Sequence, residues 1–292
     1  MATKAYVGVN GTAKNIIKIY VGVNNSPKKV IKGYVGVNGV PKVFFLGSYG
    51  VWLPKTWGGT NSFYGTDIWD DGNGNIYYSY GSTQYKLNGN TWVNMTWNIS
   101  NIYKRNIWTD GTYIYLRKYP NDYKLNGTTW ELITLSGLSM RDGEYVWNDG
   151  EGNTYYSYGS DHYKLNGTTW EPITWSGLTR FYGNYIWIDG NNVYYSYMSD
   201  QYVLNKATHT WESKTWNGFN NLSRVYIWND GEDIYYSYYD DRQFVLDRAT
   251  STWIPIIWSG LPNGRLFGNY IWTDGTNIYE SSSNSQYVLN KT

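Results

Sequence analysis

Few side chains in this sequence have the types and spacing that catalysis or metal binding requires. The chain holds two histidines, His162 and His209, and neither has a second metal ligand at a suitable spacing. It holds no cysteine, which excludes disulfides and thiolate metal sites. A glycine-rich phosphate loop and a Gly-x-Ser-x-Gly elbow are also missing. We therefore predict no catalytic residue, no metal and no cofactor, and interpret both histidines as incidental surface residues.

One aspartate recurs throughout the chain and is the strongest candidate for repeated chemistry. A carboxylate at this position could serve catalysis or bind calcium. An aspartate before glycine also accepts backbone hydrogen bonds within a turn. Six equivalent copies favour the structural interpretation, since one active site needs only one such residue. The aspartates of this Trp-x-Asp-Gly motif are Asp71, Asp110, Asp149, Asp189, Asp230 and Asp274.

These aspartates belong to a long internal repeat. The tryptophan of the motif recurs at intervals of 39, 39, 40, 41 and 44 residues. Each unit continues with a tyrosine-rich run, such as IYYSY at 76–80, then a Tyr-x-Leu-Asn run and a Thr-Trp pair. Four short β-type runs separated by Gly, Asn, Asp or Ser are typical of one propeller blade.

The number of runs predicts how the ring closes. Six anchor tryptophans are present, but only five Thr-Trp pairs follow them before the sequence stops at Thr292. The missing run lies at the other end, where WLPKTWGGTNSFYG at 52–65 aligns with WEPITWSGLTRFYG at 170–183. We therefore predict an all-β fold, with residues 47–292 forming a six-bladed β-propeller. In it, residues 52–57 pair with strands within 269–290 and complete one composite blade.

The repeat resembles the kelch family over most of the chain. The likeness lies in the hydrophobic run before a turn, the Ile-Tyr-x-x-x run, the Tyr-x-Leu-Asn run that precedes Thr and Trp, and the period. The double glycine of kelch repeats is replaced here by Ser-Tyr, as at Ser157 and Tyr158. The resemblance implies that the first strand of each blade lines the central channel. It also implies that the loops after the second and fourth strands share one face.

Those loops are where the repeats diverge, and they carry arginine, aromatic and acidic residues. This composition suits a polar ligand or a protein surface, and exposed tyrosines also stack on sugar rings. The alternative is that arginines and aspartates of neighbouring loops pair and fix the ring. The candidate ligand-binding rim consists of Tyr64, Arg105, Tyr119, Arg141, Asp161, Arg180, Tyr182, Asp200, Arg224, Tyr239, Asp241 and Arg265.

Residues 1–46 form a second, basic repeat. The sequence Tyr-Val-Gly-Val-Asn occurs three times at a period of 14, with two β-type runs around Asn-Gly or Asn-Asn in each copy, which predicts three β-hairpins. The arm holds seven lysines and no acidic residue, so attachment to a partner and a solvated strand face are both open. Hairpins this small need a neighbour: a second copy of the chain, a particle protein or the propeller. The candidate attachment residues are Tyr6, Tyr20, Tyr34, Lys28 and Lys29.

This Tyr-Val-Gly-Val-Asn repeat resembles N-terminal segments of tail and surface proteins of phages that infect low-GC bacteria. The resemblance implies a virion protein made in the host cytoplasm, and the sequence shows no signal peptide. No stretch has the apolar length of a membrane span. The propeller region carries more acidic than basic residues, which argues against nucleic acid as a partner.

The leading hypothesis is a non-catalytic phage virion module of a tail, baseplate or surface. Residues 1–46 attach it to other virion proteins, and the rim recognises a host-surface glycan or protein. A purely structural decoration protein of a tail or capsid is one alternative. An enzyme that degrades envelope glycans is another, and it needs a pair of carboxylates in the channel or in a rim cleft. The sequence nominates no such pair.

Overall fold

The computed structural model describes residues 50–138, 142–238, 242–261 and 266–291, together with the backbone of six strands in the arm. Within these ranges, six antiparallel sheets with four main strands each follow one another along the chain. They form a six-bladed β-propeller, which confirms the predicted fold. The same ranges contain no helix with the length and apolar character to cross a membrane. We number the blades 1 to 6 by their anchor tryptophans, which are Trp69, Trp108, Trp147, Trp187, Trp228 and Trp272.

Each blade runs from an inner first strand to an outer fourth strand. The first strands are Ile68–Asp70, Ile107–Thr109, Val146–Asn148, Ile186–Asp189, Ile227–Asn229 and Ile271–Thr273. The second strands are Ile76–Gly81, Ile114–Lys118, Thr154–Gly159, Asn192–Met198, Ile234–Tyr238 and Ile278–Ser283. The third strands are Thr83–Asn88, Asn121–Asn126, Asp161–Asn166, Asp200–Asn205, Arg242–Asp247 and Ser285–Asn290. The fourth strands are Thr91–Asn94, Thr129–Ile133, Thr169–Pro172, Thr210–Ser213, Thr252–Pro255 and, for blade 6, Val51–Pro54.

A single 3-10 turn leads into every first strand. Four of the connections also add a two-residue rim strand before it. The 3-10 turns are Gly65–Asp67, Lys104–Asn106, Gly143–Tyr145, Gly183–Tyr185, Arg224–Tyr226 and Gly268–Tyr270. The rim strands are Phe63–Tyr64, Ile102–Tyr103, Phe181–Tyr182 and Leu222–Ser223.

The arm forms the three predicted hairpins. In the hairpins, Tyr6, Tyr20 and Tyr34 stand opposite Asn15, Lys29 and Val43, respectively. The side chains proposed for attachment lie outside the described residues, so their role stays a prediction. The paired strands are Tyr6–Val9 with Thr12–Asn15, Ile19–Val23 with Ser26–Val30, and Lys32–Val37 with Val40–Leu46.

The repeated aspartate acts within the turn between the first two strands. Asp110 Oδ1 accepts hydrogen bonds from the backbone N–H groups of Thr112 and Tyr113 at 2.8 and 2.7 Å. Its Oδ2 accepts one from the Tyr115 hydroxyl at 2.8 Å. Equivalent bonds surround Asp71, Asp149, Asp230 and Asp274. These bonds support the structural interpretation of the motif.

Tryptophans fill the spaces between blades. Between blades 4 and 5, the Trp216 ring lies 5.9 Å from the rings of both Trp187 and Trp253. Trp253 is fully buried, as are its counterparts at the same position of every fourth strand. The anchor indole is also held, because Nε1 of Trp187 donates to Ser196 Oγ at 2.9 Å. Large rings therefore join each sheet to the next, and the indole N–H of Trp253 is buried among them without a hydrogen-bond partner.

A backbone hydrogen bond also crosses five of the six boundaries between blades. The N–H of Trp211 donates to the carbonyl of Ser176 at 2.9 Å, and the same bond recurs at four other boundaries. The following residue, Gly177, has a φ of +80°, and a Cβ there would lie 2.0 Å from the Trp211 carbonyl oxygen. Only glycine fits such a contact. Between blades 1 and 2, the side chain of Asn98 makes this connection instead, because its Oδ1 accepts from Trp130 N–H at 2.9 Å.

The ring closes as predicted. Val51 pairs with Asn290, and Trp52 pairs with Leu289, so the start of the propeller supplies the fourth strand of blade 6. The N–H of Trp52 also donates to the carbonyl of Ser259 in blade 5 at 2.9 Å. One short strand thus completes a sheet and joins two blades.

Blade 2 departs from the other five. Where they have a serine beneath the anchor indole, blade 2 has Arg117, and Asp122 replaces the glutamine found opposite that serine in four blades. Arg117 and Asp122 form a buried ion pair of 2.6 Å. In blade 4, the matching Ser196 hydroxyl donates to Gln201 at 2.7 Å. The ion pair therefore takes the place of this hydrogen bond within the sheet, while the anchor indole Nε1 of Trp108 has no hydrogen-bond partner.

Replacing both partners should restore the pattern of the other blades. Asp122→Gln alone leaves a buried guanidinium without its carboxylate and should cost about 3–5 kcal/mol of unfolding free energy. Arg117→Ser combined with Asp122→Gln should recover most of that loss. Urea unfolding of the wild type, both single variants and the double variant measures the coupling. Single effects that simply add in the double variant would contradict this interpretation.

The closing strand provides a second test. Trp52 is fully buried, whereas its neighbour Leu53 is 42% exposed. Trp52→Ala should lower the unfolding free energy by about 3–5 kcal/mol through loss of interblade packing. Leu53→Ala, in the same strand, should cost less than about 1 kcal/mol. Equal shifts of the denaturation midpoint in the two variants would show that the strand does not hold the ring.

Candidate functional site

The loops after the second and fourth strands share one face of the ring, as the sequence implied. Each rim strand pairs with the end of a second strand: Tyr80 stands opposite Tyr103, and Tyr158 stands opposite Tyr182. We call this the upper face. The turns between first and second strands, and between third and fourth strands, lie on the opposite, lower face.

Seven of the predicted rim residues lie on the upper face with exposed side chains. They include the cations Arg105 and Arg180 and the acids Asp161 and Asp200. None of these four forms an ion pair within the described ranges, so arginine–aspartate pairing does not explain them. The other three exposed residues are Tyr64, Tyr119 and Tyr182. Of the five other predicted rim residues, Arg224 lies in the channel wall, and the remaining four lie outside the described residues: Arg141, Tyr239, Asp241 and Arg265.

Tyrosines form a nearly continuous band around the upper face. Over blades 3 and 4, the Tyr158 ring lies 5.2 Å from Tyr182, and the Tyr185 ring lies 4.5 Å from Tyr197. Such contacts hold each ring in place while an edge or face stays open to solvent. We call this band the tyrosine collar: Tyr64, Tyr80, Tyr103, Tyr145, Tyr158, Tyr182, Tyr185, Tyr197, Tyr226, Tyr238 and Tyr270.

The central channel opens inside this collar and is lined by the first strands, as predicted. It contains two cavities of about 630 and 620 Å³. An aliphatic ring, made of the first residue of each first strand, contributes to the lining of the cavities. That ring consists of Ile68, Ile107, Val146, Ile186, Ile227 and Ile271.

Two cations line both cavities, Lys104 and Arg224. They occupy the first position of the 3-10 turns, where the other four blades have glycine. At Gly183, a Cβ would lie 2.0 Å from the carbonyl oxygen of Tyr145 in the preceding blade. Close packing therefore explains the glycines, and blades 2 and 5 depart from it. These two blades stand opposite each other in a ring of six.

The two cations influence each other across the channel. Burial and the charge of Arg224 lower the pKa of Lys104, while the carboxylates of Glu144, Asp70 and Asp67 act in the opposite direction. Burial also raises the pKa of Asp67 to about 6, against the charge of Lys104. Arg224 is anchored, because its Nε donates to the carbonyl of Ile186 at 2.9 Å. The upper end of the channel thus brings two cations into one confined space, together with the carboxylates that act on Lys104.

Sequence reasoning placed Arg224 on the rim and overlooked Lys104. Arg224 is half-buried in the channel wall, at the first position of its 3-10 turn, whereas the exposed Arg105 holds the second position of the turn in blade 2. A signal for both was present, since aligning the segments before each anchor tryptophan puts Lys104 and Arg224 alone against four glycines. That alignment shows which residues break the pattern, but only the fold shows where they point.

His162 is not the surface residue that we expected. It is buried and stacks on Phe181, with ring centroids 4.4 Å apart. Its Nε2 lies 3.0 Å from the carbonyl oxygen of Thr179. In blade 4, Gln201 occupies the same position and donates to the carbonyl of Leu222. His162 therefore substitutes for a glutamine that ties the rim to the third strand.

One buried carboxylate also breaks the repeat. Glu280 stands in the second strand of blade 6, where four blades have tyrosine, and it is 5% exposed. Burial raises its pKa to about 8. It is not among the residues that line the two cavities. Within the described ranges, no group of three or more His, Cys, Asp or Glu side chains could hold a metal ion.

Glu280 should make the stability of the fold depend on pH. Its folded-state pKa lies above the ordinary value of 4.5, so its protonated form is favoured in the fold. Its contribution is complete below pH 4.5 and is lost as the pH rises to about 8. Glu280→Gln should remove this loss, which urea unfolding across that range measures. The raised pKa of Asp67 also makes stability depend on pH. This contribution is the same in the wild type and in Glu280→Gln, so it cancels when their profiles are compared.

A matched control for this experiment is Glu232→Gln, which changes an exposed carboxylate in blade 5. Its pH profile should follow that of the wild type. If the Glu280→Gln profile also ran parallel to the wild type, the buried carboxyl would not be the cause.

No family model matches this chain. No curated protein matches it either. Solved structures that it resembles include the extracellular domains of two hybrid two component systems from Bacteroides thetaiotaomicron. For one of them, the TM-score is 0.50 at 11% identity, and the matched region covers 98% of this chain and 50% of the other chain. The other has the same score and identity and covers 82% and 42%, respectively.

A structure of YCF48 bound to D1 peptide matches with a TM-score of 0.49 at 10% identity, covering 84% of this chain and 96% of its own. The chain spans about half the length of the Bacteroides domains. At these identities, the comparisons show the propeller fold alone.

Proposed function

We propose that this chain is a non-catalytic binding module of a phage particle and that its tyrosine collar recognises a host-surface glycan or protein. The observation that carries this proposal is the collar itself. Tyr64 is 42% exposed and Tyr182 is 36% exposed, on a face where neighbouring rings fix their positions. Rings held in this way offer apolar area and a hydroxyl at little cost in conformational entropy.

The polar residues beside the collar suit the same role. Arg105 lies over the Tyr103 ring, 5.5 Å from its centroid. Asp161 and Asp200 are exposed at the start of third strands on the same face. A sugar or a protein surface would thus meet stacking faces together with hydrogen-bond donors and acceptors.

The non-catalytic part of the proposal rests on the sequence. Glycoside hydrolysis uses two carboxyl groups that flank one bond, and the sequence nominates no such pair. Attachment to a particle rests on the sequence of the arm, with its basic hairpins and the resemblance to phage proteins described above.

Removing collar rings should weaken binding. We expect Tyr64→Ala and Tyr182→Ala, in the full chain, each to reduce binding to intact host cells and to bacterial glycan arrays by about tenfold or more. Tyr113→Ala is the matched control, because Tyr113 is 46% exposed on the lower face. Fluorescently labelled proteins allow the three variants to be compared with the wild type.

Two outcomes would contradict the proposal. Binding to neither cells nor arrays, with tight incorporation into particles, would indicate a decoration protein. Breakdown of envelope polysaccharide by the purified chain would indicate an enzyme. Particle incorporation of a chain that lacks residues 1–46 tests the arm separately, and it should be lost.

A further inference from the structure

The carboxylates of Glu144, Asp70 and Asp67 act on Lys104 through their charge, but none of them pairs directly with it. Neither Lys104 nor Arg224 forms an ion pair with any residue of the described ranges. Arg224 donates to two backbone carbonyls, those of Ile186 at 2.9 Å and Ile227 at 3.5 Å. A guanidinium has five N–H donors, so others remain for a ligand.

Two like charges in a confined space repel each other, and the carboxylates near Lys104 offset this repulsion without forming an ion pair with it. Glycine at both positions would avoid the repulsion, and it is the residue of the four other blades. The positions are also separated by two blades on either side, so their side chains approach the channel from opposite walls. Both line both cavities. An anion at the centre would face a cation on each side.

We propose that Lys104 and Arg224 bind the carboxylate or phosphate group of a sugar-sized ligand at the upper end of the channel. Arginine forms paired hydrogen bonds with either group, and lysine adds a mobile charge. Each cavity, at about 630 or 620 Å³, has the volume of a small-molecule site. The isoleucine side chains of the aliphatic ring provide apolar contact for the body of the ligand.

This site goes beyond the proposed function, because the collar could bind a neutral glycan or a protein without it. The proposal for the channel site and the proposal for the collar can also be refuted independently of each other. A collar that binds no cell or glycan leaves the channel site intact, and a channel that binds no anion leaves recognition by the collar intact.

Isothermal titration calorimetry of the full chain with glucuronate, glucose 6-phosphate and glucose tests the proposal. We expect at least one of the two anionic sugars to bind, glucose to bind at least tenfold more weakly, and binding to weaken with added NaCl. Glucuronate alone would assign a carboxylate ligand, and glucose 6-phosphate alone would assign a phosphate. No binding of either anion, or equal binding of glucose, would overturn the proposal.

Variants locate the site. Lys104→Met and Arg224→Gln should each weaken binding of the anionic sugar by at least tenfold. Arg105→Gln is the matched control, because it removes one positive charge from the neighbouring exposed residue. If a variant does not fold by circular dichroism, Lys104→Gly and Arg224→Gly replace it, since glycine is native to this position in four blades. An equal loss with Arg105→Gln would show general charge attraction and would refute the assignment.

Discussion

The pairing of Val51–Pro54 with the last strand, Ser285–Asn290, is the constraint on which the rest of the molecule depends. A propeller blade buries both faces against neighbours, so an open row would expose a tryptophan-rich surface at each end. The closing strand removes both ends at once, because Trp52 packs against Trp228 of blade 5, at 6.2 Å between ring centroids, while its backbone completes blade 6. The channel and the collar exist only in a closed ring.

The two faces of this ring use their charged residues differently. On the lower face, lysine or arginine from three blades reaches back to the preceding blade: Lys206 to Glu151 at 3.0 Å, Arg248 to Asp189 at 2.9 Å and Lys291 to Asp230 at 2.8 Å. On the upper face, Arg105 and Asp161 make no ion pair among the described residues. Exposed pairs contribute little stability individually, but their location shows which face is occupied by internal contacts. The upper face keeps these exposed charges outside such contacts among the described residues.

The sequence predicted the ring well because the features that define it repeat. Six Trp-x-Asp-Gly motifs indicate six blades, and the alignment of 52–65 with 170–183 indicates that the start of the propeller completes the last blade. The prediction failed where one residue substitutes for another with the same contact. His162 looks like a single histidine in a polar loop, yet it replaces glutamine as the group that meets the rim carbonyl. Periodicity identifies a position in the strand but not what that position touches.

The candidate site was harder to predict for a related reason. Arg117 and Lys104 are both cations that break the repeat, and nothing in their spacing tells them apart. The fold separates them, because Arg117 meets Asp122 in the adjacent strand at 2.6 Å and the pair is closed to solvent. Within the described part of the chain, Lys104 forms no such ion pair, and its counterpart Arg224 stands on the opposite wall. Arg117 breaks the repeat, but Asp122 compensates its charge within the same blade, so this substitution concerns that blade alone. Lys104 and Arg224 also break the repeat, and each is matched only by the other across the channel, which points to the space between them.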